Sequence, residues 1–173
     1  MILTRRQALE FGGGSLAVLL AATAVPALAE TLDIGMEGNA GGSHVWFDPV
    51  GLLVQPGQTV RWINRDPGNS HTVTAYHPSL FDRPLRIPAN ADPFHSDYLL
   101  PGESFSAVFT VEGVYDYYCV PHEHAGMVGR IVVGSPQPGQ PVAAGGDGLP
   151  EVALRGLPPV EEILSKGRVR RPE

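Results

Sequence analysis

The stretch from Tyr117 to Met127 reads Tyr-Tyr-Cys-Val-Pro-His-Glu-His-Ala-Gly-Met. It contains the only cysteine of the chain, two of its six histidines and one of its three methionines, so the donor chemistry is concentrated in one place. Cys119, His122 and Met127 stand at i, i+3 and i+8. A thiolate, an imidazole and a thioether make a soft donor set. Such a set suits copper, in a trigonal site of two histidines and one cysteine with a long axial methionine. The loop therefore needs one further imidazole from elsewhere in the chain. Zinc is a poorer match, because a thioether is not among its usual donors. Pro121 stiffens the turn by fixing φ, and Gly126 allows a close bend before Met127. Each residue alone would be read as a buried cysteine or a polar loop residue; together, in this order, they read as a metal loop.

The pattern Cys-x-Pro-His-x-x-x-x-Met, preceded by Tyr and followed by Gly and a β-branched run, resembles the copper loop of the plastocyanin-like cupredoxins, and among them the halocyanin-type blue copper proteins. The resemblance extends back through Phe47-Asp48-Pro49 and Val54-Gln55-Pro56-Gly57-Gln58-Thr59-Val60, and covers about residues 44 to 134. It implies one copper per domain, cycling between Cu(I) and Cu(II), with His71, Cys119, His122 and Met127 as ligands. His71 matches the position of the family's first ligand. The residue after that histidine is often Asn in the family, and its backbone N–H bonds the thiolate. Here it is Thr72, which supplies the same N–H with a different side chain. His124 rivals His122, because azurin-like members use a longer Cys-to-His step; Pro121-His122 and the methionine at i+8 favour His122. In plastocyanins a tyrosine just before the cysteine lies on a proposed second electron route. Tyr118 and His122 are accordingly the candidate electron-transfer surface, with an ordinary exposed strand aromatic as the plainer reading of Tyr118.

These residues need a rigid frame. Glycine and proline are abundant and no long helical periodicity occurs, which favours an all-β domain with many turns. Thr31–Met36 reads as a first strand. Short apolar runs, Val45–Phe47 and Leu52–Val54, flank Asp48-Pro49, where proline marks a bend or sheet edge. Thr59–Asn64 alternates, with Val60 and Trp62 on one face and Trp62 in the core. Asp66-Pro67-Gly68-Asn69 is a turn. It delivers His71 to the start of a β-rich run, His71–Ala75, where a sheet would hold a ligand while leaving it reachable from the loops. Residues 76–100 are irregular. His77 and His95 within them read as surface histidines, and Arg83 and Arg86 as partners of nearby acids. Phe105, Ala107 and Phe109 mark a half-buried strand. In Val114–Cys119, period two puts Tyr115, Tyr117 and Cys119 inward and Tyr118 outward. Val128–Val133 closes a Greek-key β-sandwich of seven or eight strands over residues 31–134.

The ends differ from this domain. Residues 1–29 read as an export signal, with Arg5-Arg6, an apolar core from Leu16 to Val25 and a small-residue cleavage site at Ala27-Leu28-Ala29. Thr4–Leu9 resembles a twin-arginine motif, departing from it at Ala8 and Glu10. The mature chain is expected to start at Glu30, with no lipid-anchoring cysteine and no stable membrane insertion. Residues 135–173 open with a Pro/Gly-rich linker. Leu157, Val160, Ile163 and Leu164 then mark one face of a short helix after Pro158-Pro159, and Lys166–Arg171 is basic. Docking on the domain, recruiting a partner and disorder are the alternatives for this tail, and disorder is the default for a terminus.

Three functions fit a copper loop: a mobile one-electron carrier, an exported copper store or chaperone, and an oxidase or reductase. Multicopper enzymes of the wider superfamily place histidine beside the ligand cysteine. Here the neighbours are Tyr118 and Val120, which argues for a protein that is not an enzyme. Residues 30–134 hold twelve acidic and five basic side chains, a charge of −7 that suits a basic redox partner, such as a c-type cytochrome or a membrane-bound oxidoreductase, and not nucleic acid.

Overall fold

The computed structural model describes residues 30–135 and 148–171. The export-signal reading of residues 1–29 and most of the linker lie outside the described residues.

Eight strands between Leu32 and Val133 form two facing sheets. The first sheet has the order β2 (Val45–Asp48), β1 (Leu32–Gly38), β4 (Gln58–Asn64), β6 (Ser104–Phe109). The second runs β5 (Thr74–Ala75), β7 (Gly113–Tyr118), β8 (Val128–Val133), β3 (Gly51–Val54), and then β9 (Arg168–Val169) from the tail. Pairing is antiparallel except where β1 meets β4 and β3 meets β8. The chain passes from one sheet to the other around Asp48-Pro49, which is the bend that the proline signals. Alternation sets the core. Ile34, Met36, Phe47, Val60 and Trp62 of one sheet meet Leu52, Tyr115, Tyr117, Ile131 and Val133 of the other. Trp62 is fully buried, with its ring 5.4 Å from that of Tyr117 and 5.7 Å from that of Phe94.

Residues 148–171 of the tail pack on the domain, in contrast to the disorder expected of a terminus. The short helix α2 (Val160–Lys166) follows Pro158-Pro159, as the sequence pattern indicates. A second helix, α1 (Glu151–Gly156), leaves no clear pattern in the sequence. Neither is long enough to be stable by itself in water, so packing must hold both. Ile163 of α2 is buried against Val50, Val132 and Val169, while β9 pairs antiparallel with β3. Leu149 and Ala153 cover Tyr76, Tyr118 and Val128. The tail therefore closes the outer face of the second sheet, and all six residues of β8 are buried. Asp116 on that face is fully buried between Arg86 (2.7 Å) and Arg130 (2.6 Å), and Arg130 also donates to the Pro158 carbonyl (2.8 Å). A buried carboxylate with two guanidinium partners avoids the penalty of an unpaired charge.

Because Ile163 fills a gap that the sheet leaves open, Ile163→Ala should cost about 2–4 kcal/mol of global stability. Urea unfolding followed by tryptophan fluorescence measures this. A separate early transition, with an unchanged main midpoint, would show that the tail is not part of the cooperative unit.

Candidate metal centre

Two segments far apart in sequence meet at one end of the sandwich. The first is the turn leading into β5. His71 lies before the strand proper, which is limited to Thr74–Ala75, and is held by an isolated bridge to Leu99. The His71 N–H donates to the Leu99 carbonyl (3.1 Å) and the Leu99 N–H donates back (2.8 Å). The second segment leaves β7 at Cys119 and winds into a 3₁₀ turn, Val120–Ala125. Gly126 ends it at φ 80°, a left-handed conformation that glycine adopts without strain. The Cys119 N–H then bonds the Met127 carbonyl (3.0 Å), and the Met127 N–H bonds the His122 carbonyl (3.1 Å). These bonds close the loop as a ring around the donors.

The donor atoms of His71, Cys119 and His122 all lie within 4.8 Å of one another. The two Nδ1 atoms are 3.1 Å apart, and Cys119 Sγ is 3.6 Å from that of His71 and 3.4 Å from that of His122. A first-row ion bound at about 2.0–2.3 Å by nitrogen and sulfur in a trigonal plane requires donors roughly 3.5 Å apart. The observed triangle fits a single ion. His71 and Cys119 are fully buried, and His122 is partly exposed.

Electrostatics prepare neutral imidazoles. Burial lowers the pKa of His71 against the opposing pull of Asp66, and burial with the neighbouring His71 lowers that of His122. Burial pushes the Cys119 thiol up to about 11, with the Thr72 N–H opposing it. A thiolate there needs a cation, which a bound metal provides. Thr72 has two roles. Its N–H points at Cys119 Sγ (3.3 Å), and its hydroxyl accepts the Val120 N–H (2.8 Å), pinning the start of the loop.

The other sequence candidates fall as follows. Met127 is fully buried in the same apolar cluster as Cys119. His124 is exposed and outside the donor triangle. His77 bonds Ser79; His95 bonds Thr74 Oγ1 and approaches Asp97. Tyr118 does project to the outer face, but it is 1% exposed, stacked on Tyr76 at 4.4 Å beneath the tail. An exposed Tyr118 surface is thereby corrected: strand period predicts the face, not what covers it. Arg83 and Arg86 pair with Glu123 and Asp116, acids distant in sequence rather than nearby ones. Glu123 is a supporting residue that the loop pattern does not reveal. It is buried inside the loop and accepts from Tyr76 Oη (2.9 Å) as well as pairing with Arg83, so it anchors the loop from behind. Asp66, in sequence only a turn residue, is buried against His71 Nε2 at 3.1 Å. Burial by itself would raise its pKa, but hydrogen bonds from Asn69, Gly68 and His71 together outweigh this and hold it below the usual carboxylate range.

Residues 34–134 match the model of the copper binding proteins of the plastocyanin/azurin family. The chain is 38% identical over 105 residues to plastocyanin from Scenedesmus fuscus, covering 58% of this chain and 99% of that protein. It is 39% identical over 123 residues to the chloroplastic plastocyanin of Chlamydomonas reinhardtii, covering 69% and 74% of the two chains. Among solved structures, the pseudoazurin of Methylobacterium extorquens AM1 aligns at 26% identity and a TM-score of 0.49, over 62% of this chain and 78% of that one.

The triangle predicts different fates for the two loop histidines. With Cu(II) added, His122→Ala should lose the intense visible absorption of a thiolate–copper bond, whereas His124→Ala should keep it. The opposite pattern would reverse the assignment.

Proposed function

The chain belongs to the plastocyanin/azurin family of copper-binding proteins, and from that premise we propose that it is a type 1 (blue) copper protein shuttling single electrons outside the cytoplasm, with His71, Cys119, His122 and Met127 as its ligands. It is an electron carrier and not an enzyme. Copper supplies the redox change, passing between Cu(I) and Cu(II) when bound. The protein's part is to hold the ligands still, so that little rearrangement accompanies each transfer.

The observation that carries this reading is the convergence of His71 Nδ1, Cys119 Sγ and His122 Nδ1 within a frame of backbone hydrogen bonds. Such a frame suits a carrier, which gains from a fixed geometry, more than a store, which needs a ready exit for its metal. Met127, buried in the same cluster as Cys119, would supply a thioether as the fourth ligand. His122 is the port for electrons. It is the partly exposed imidazole, flanked by exposed Pro121 and Ala125, small or apolar residues that a partner can approach without displacing strongly held water. Redox encounters need only a small, transient contact.

Export is supported by the basic, apolar and small-residue pattern of residues 1–29. Among the described residues no helix is long and apolar enough to cross a membrane. The domain's acidic charge favours a basic partner, a c-type cytochrome or the exposed face of a membrane-bound oxidoreductase.

Stopped-flow mixing of the copper-loaded protein with chemical oxidants and reductants should give fast electron exchange in both directions, with copper retained over repeated cycles. Slow exchange together with ready passage of copper to a metal-free acceptor would favour the store instead. With a basic cytochrome, association should slow about threefold or more as ionic strength rises from about 0.01 to 0.15 M. A rate independent of salt would remove the steering argument.

A further inference from the structure

Asp66 stands five residues before His71, in an Asp-Pro-Gly-Asn turn that would ordinarily leave a carboxylate in water. Here it is 1% exposed. Its own N–H donates to Asn64 Oδ1 (3.0 Å) and to the Met36 carbonyl (3.1 Å), which ties the turn to the ends of β1 and β4. One carboxylate oxygen accepts the Gly68 N–H (2.8 Å), and the other accepts Asn69 Nδ2 (2.8 Å) and faces His71 Nε2 (3.1 Å). The last residue of β1, Gly38, makes room for it: a Cβ there would lie 2.0 Å from Asp66 Oδ2. A turn needs none of this. A turn-forming aspartate is satisfied by Gly68 and Asn69 alone, whereas this one is enclosed with an oxygen directed at the ring of His71.

We propose that Asp66 is a positioning residue of the metal centre, which accepts the Nε2–H of His71 and so leaves the Nδ1 lone pair facing Cys119 and His122. The inference rests on the copper reading above for its redox consequence, but not for the tautomer. A neutral imidazole carries one proton, and the partner of one nitrogen determines whether the other is free to bind a metal. A carboxylate with no proton to give accepts only from Nε2–H. Among the described residues no lysine or arginine forms an ion pair with Asp66, so its charge stands directly behind the ligand ring. A fixed negative charge there favours the more highly charged Cu(II) over Cu(I) and makes the centre a weaker oxidant than a neutral acceptor would.

The test uses the full-length protein and two readouts. In the metal-free wild type, long-range proton–nitrogen correlation spectra of the imidazoles should show His71 protonated at Nε2 and bare at Nδ1. In the copper-loaded form, Asp66→Asn keeps an oxygen acceptor but removes the charge. Its ratio of Cu(II) to Cu(I) affinity should fall about tenfold, a rise of about 59 mV in reduction potential for one electron. A residue that merely shapes the turn would lower the melting temperature and leave the potential where it was. The proposal is overturned by a wild-type His71 protonated at Nδ1, or by an Asp66→Asn protein with an intact visible band and a wild-type potential. If Asp66→Asn does not fold, the wild-type tautomer still decides between the two roles. Absence of the visible band in wild-type protein with Cu(II) would instead overturn the copper reading, and the tautomer would then decide the positioning role alone.

Discussion

Everything at the metal end depends on bringing the Thr72 backbone N–H within 3.3 Å of Cys119 Sγ, across 47 residues of chain. No local propensity achieves that. It follows from the pairing of β5 with β7, where Thr74 lies opposite Tyr118, and from the packing of the two sheets around Trp62 and Tyr117. Once the two segments are adjacent, short-range bonds complete the arrangement. Thr72 Oγ1 takes the Val120 N–H, Leu99 brackets His71, and the Cys119–Met127 bond shuts the loop. The donors sit at sheet ends, so the rigidity of the sandwich is passed to them through main-chain bonds and not through long side chains.

Buried acids stand around this end of the molecule, and each is compensated in its own way. Glu123 is held by Tyr76 and Arg83, Asp116 by Arg86 and Arg130, and Asp66 by Gly68, Asn69 and His71. The first two meet guanidinium groups and are neutralised. Among the described residues Asp66 meets dipolar donors and an imidazole but no guanidinium or ammonium ion pair, so its charge is solvated without being cancelled. The outer face of the second sheet depends in turn on the tail. Without α1, Tyr118 and Tyr76 would be a stacked aromatic surface beside the loop; with it, that side is closed, and His122 is the donor that remains partly open.

The donor chemistry and the inward faces can be read from the chain alone. Cys119, His122 and Met127 are close neighbours in it, so their spacing by itself marks them as a candidate donor set. The alternation of Val60 with Trp62, and of Tyr115 with Tyr117 and Cys119, reports which side chains face the core, because that is a local property of an extended backbone. What lies on the other side of those strands, and behind those ligands, is fixed by packing in three dimensions. Tyr118 projects outward as its position requires, yet a helix more than thirty residues later covers it. Glu123 and Asp66 look like ordinary loop acids until Tyr76, Arg83 and His71 are placed around them. Periodicity records the direction of a side chain relative to its own backbone, while burial and charge pairing depend on which distant segments fill the space it points into.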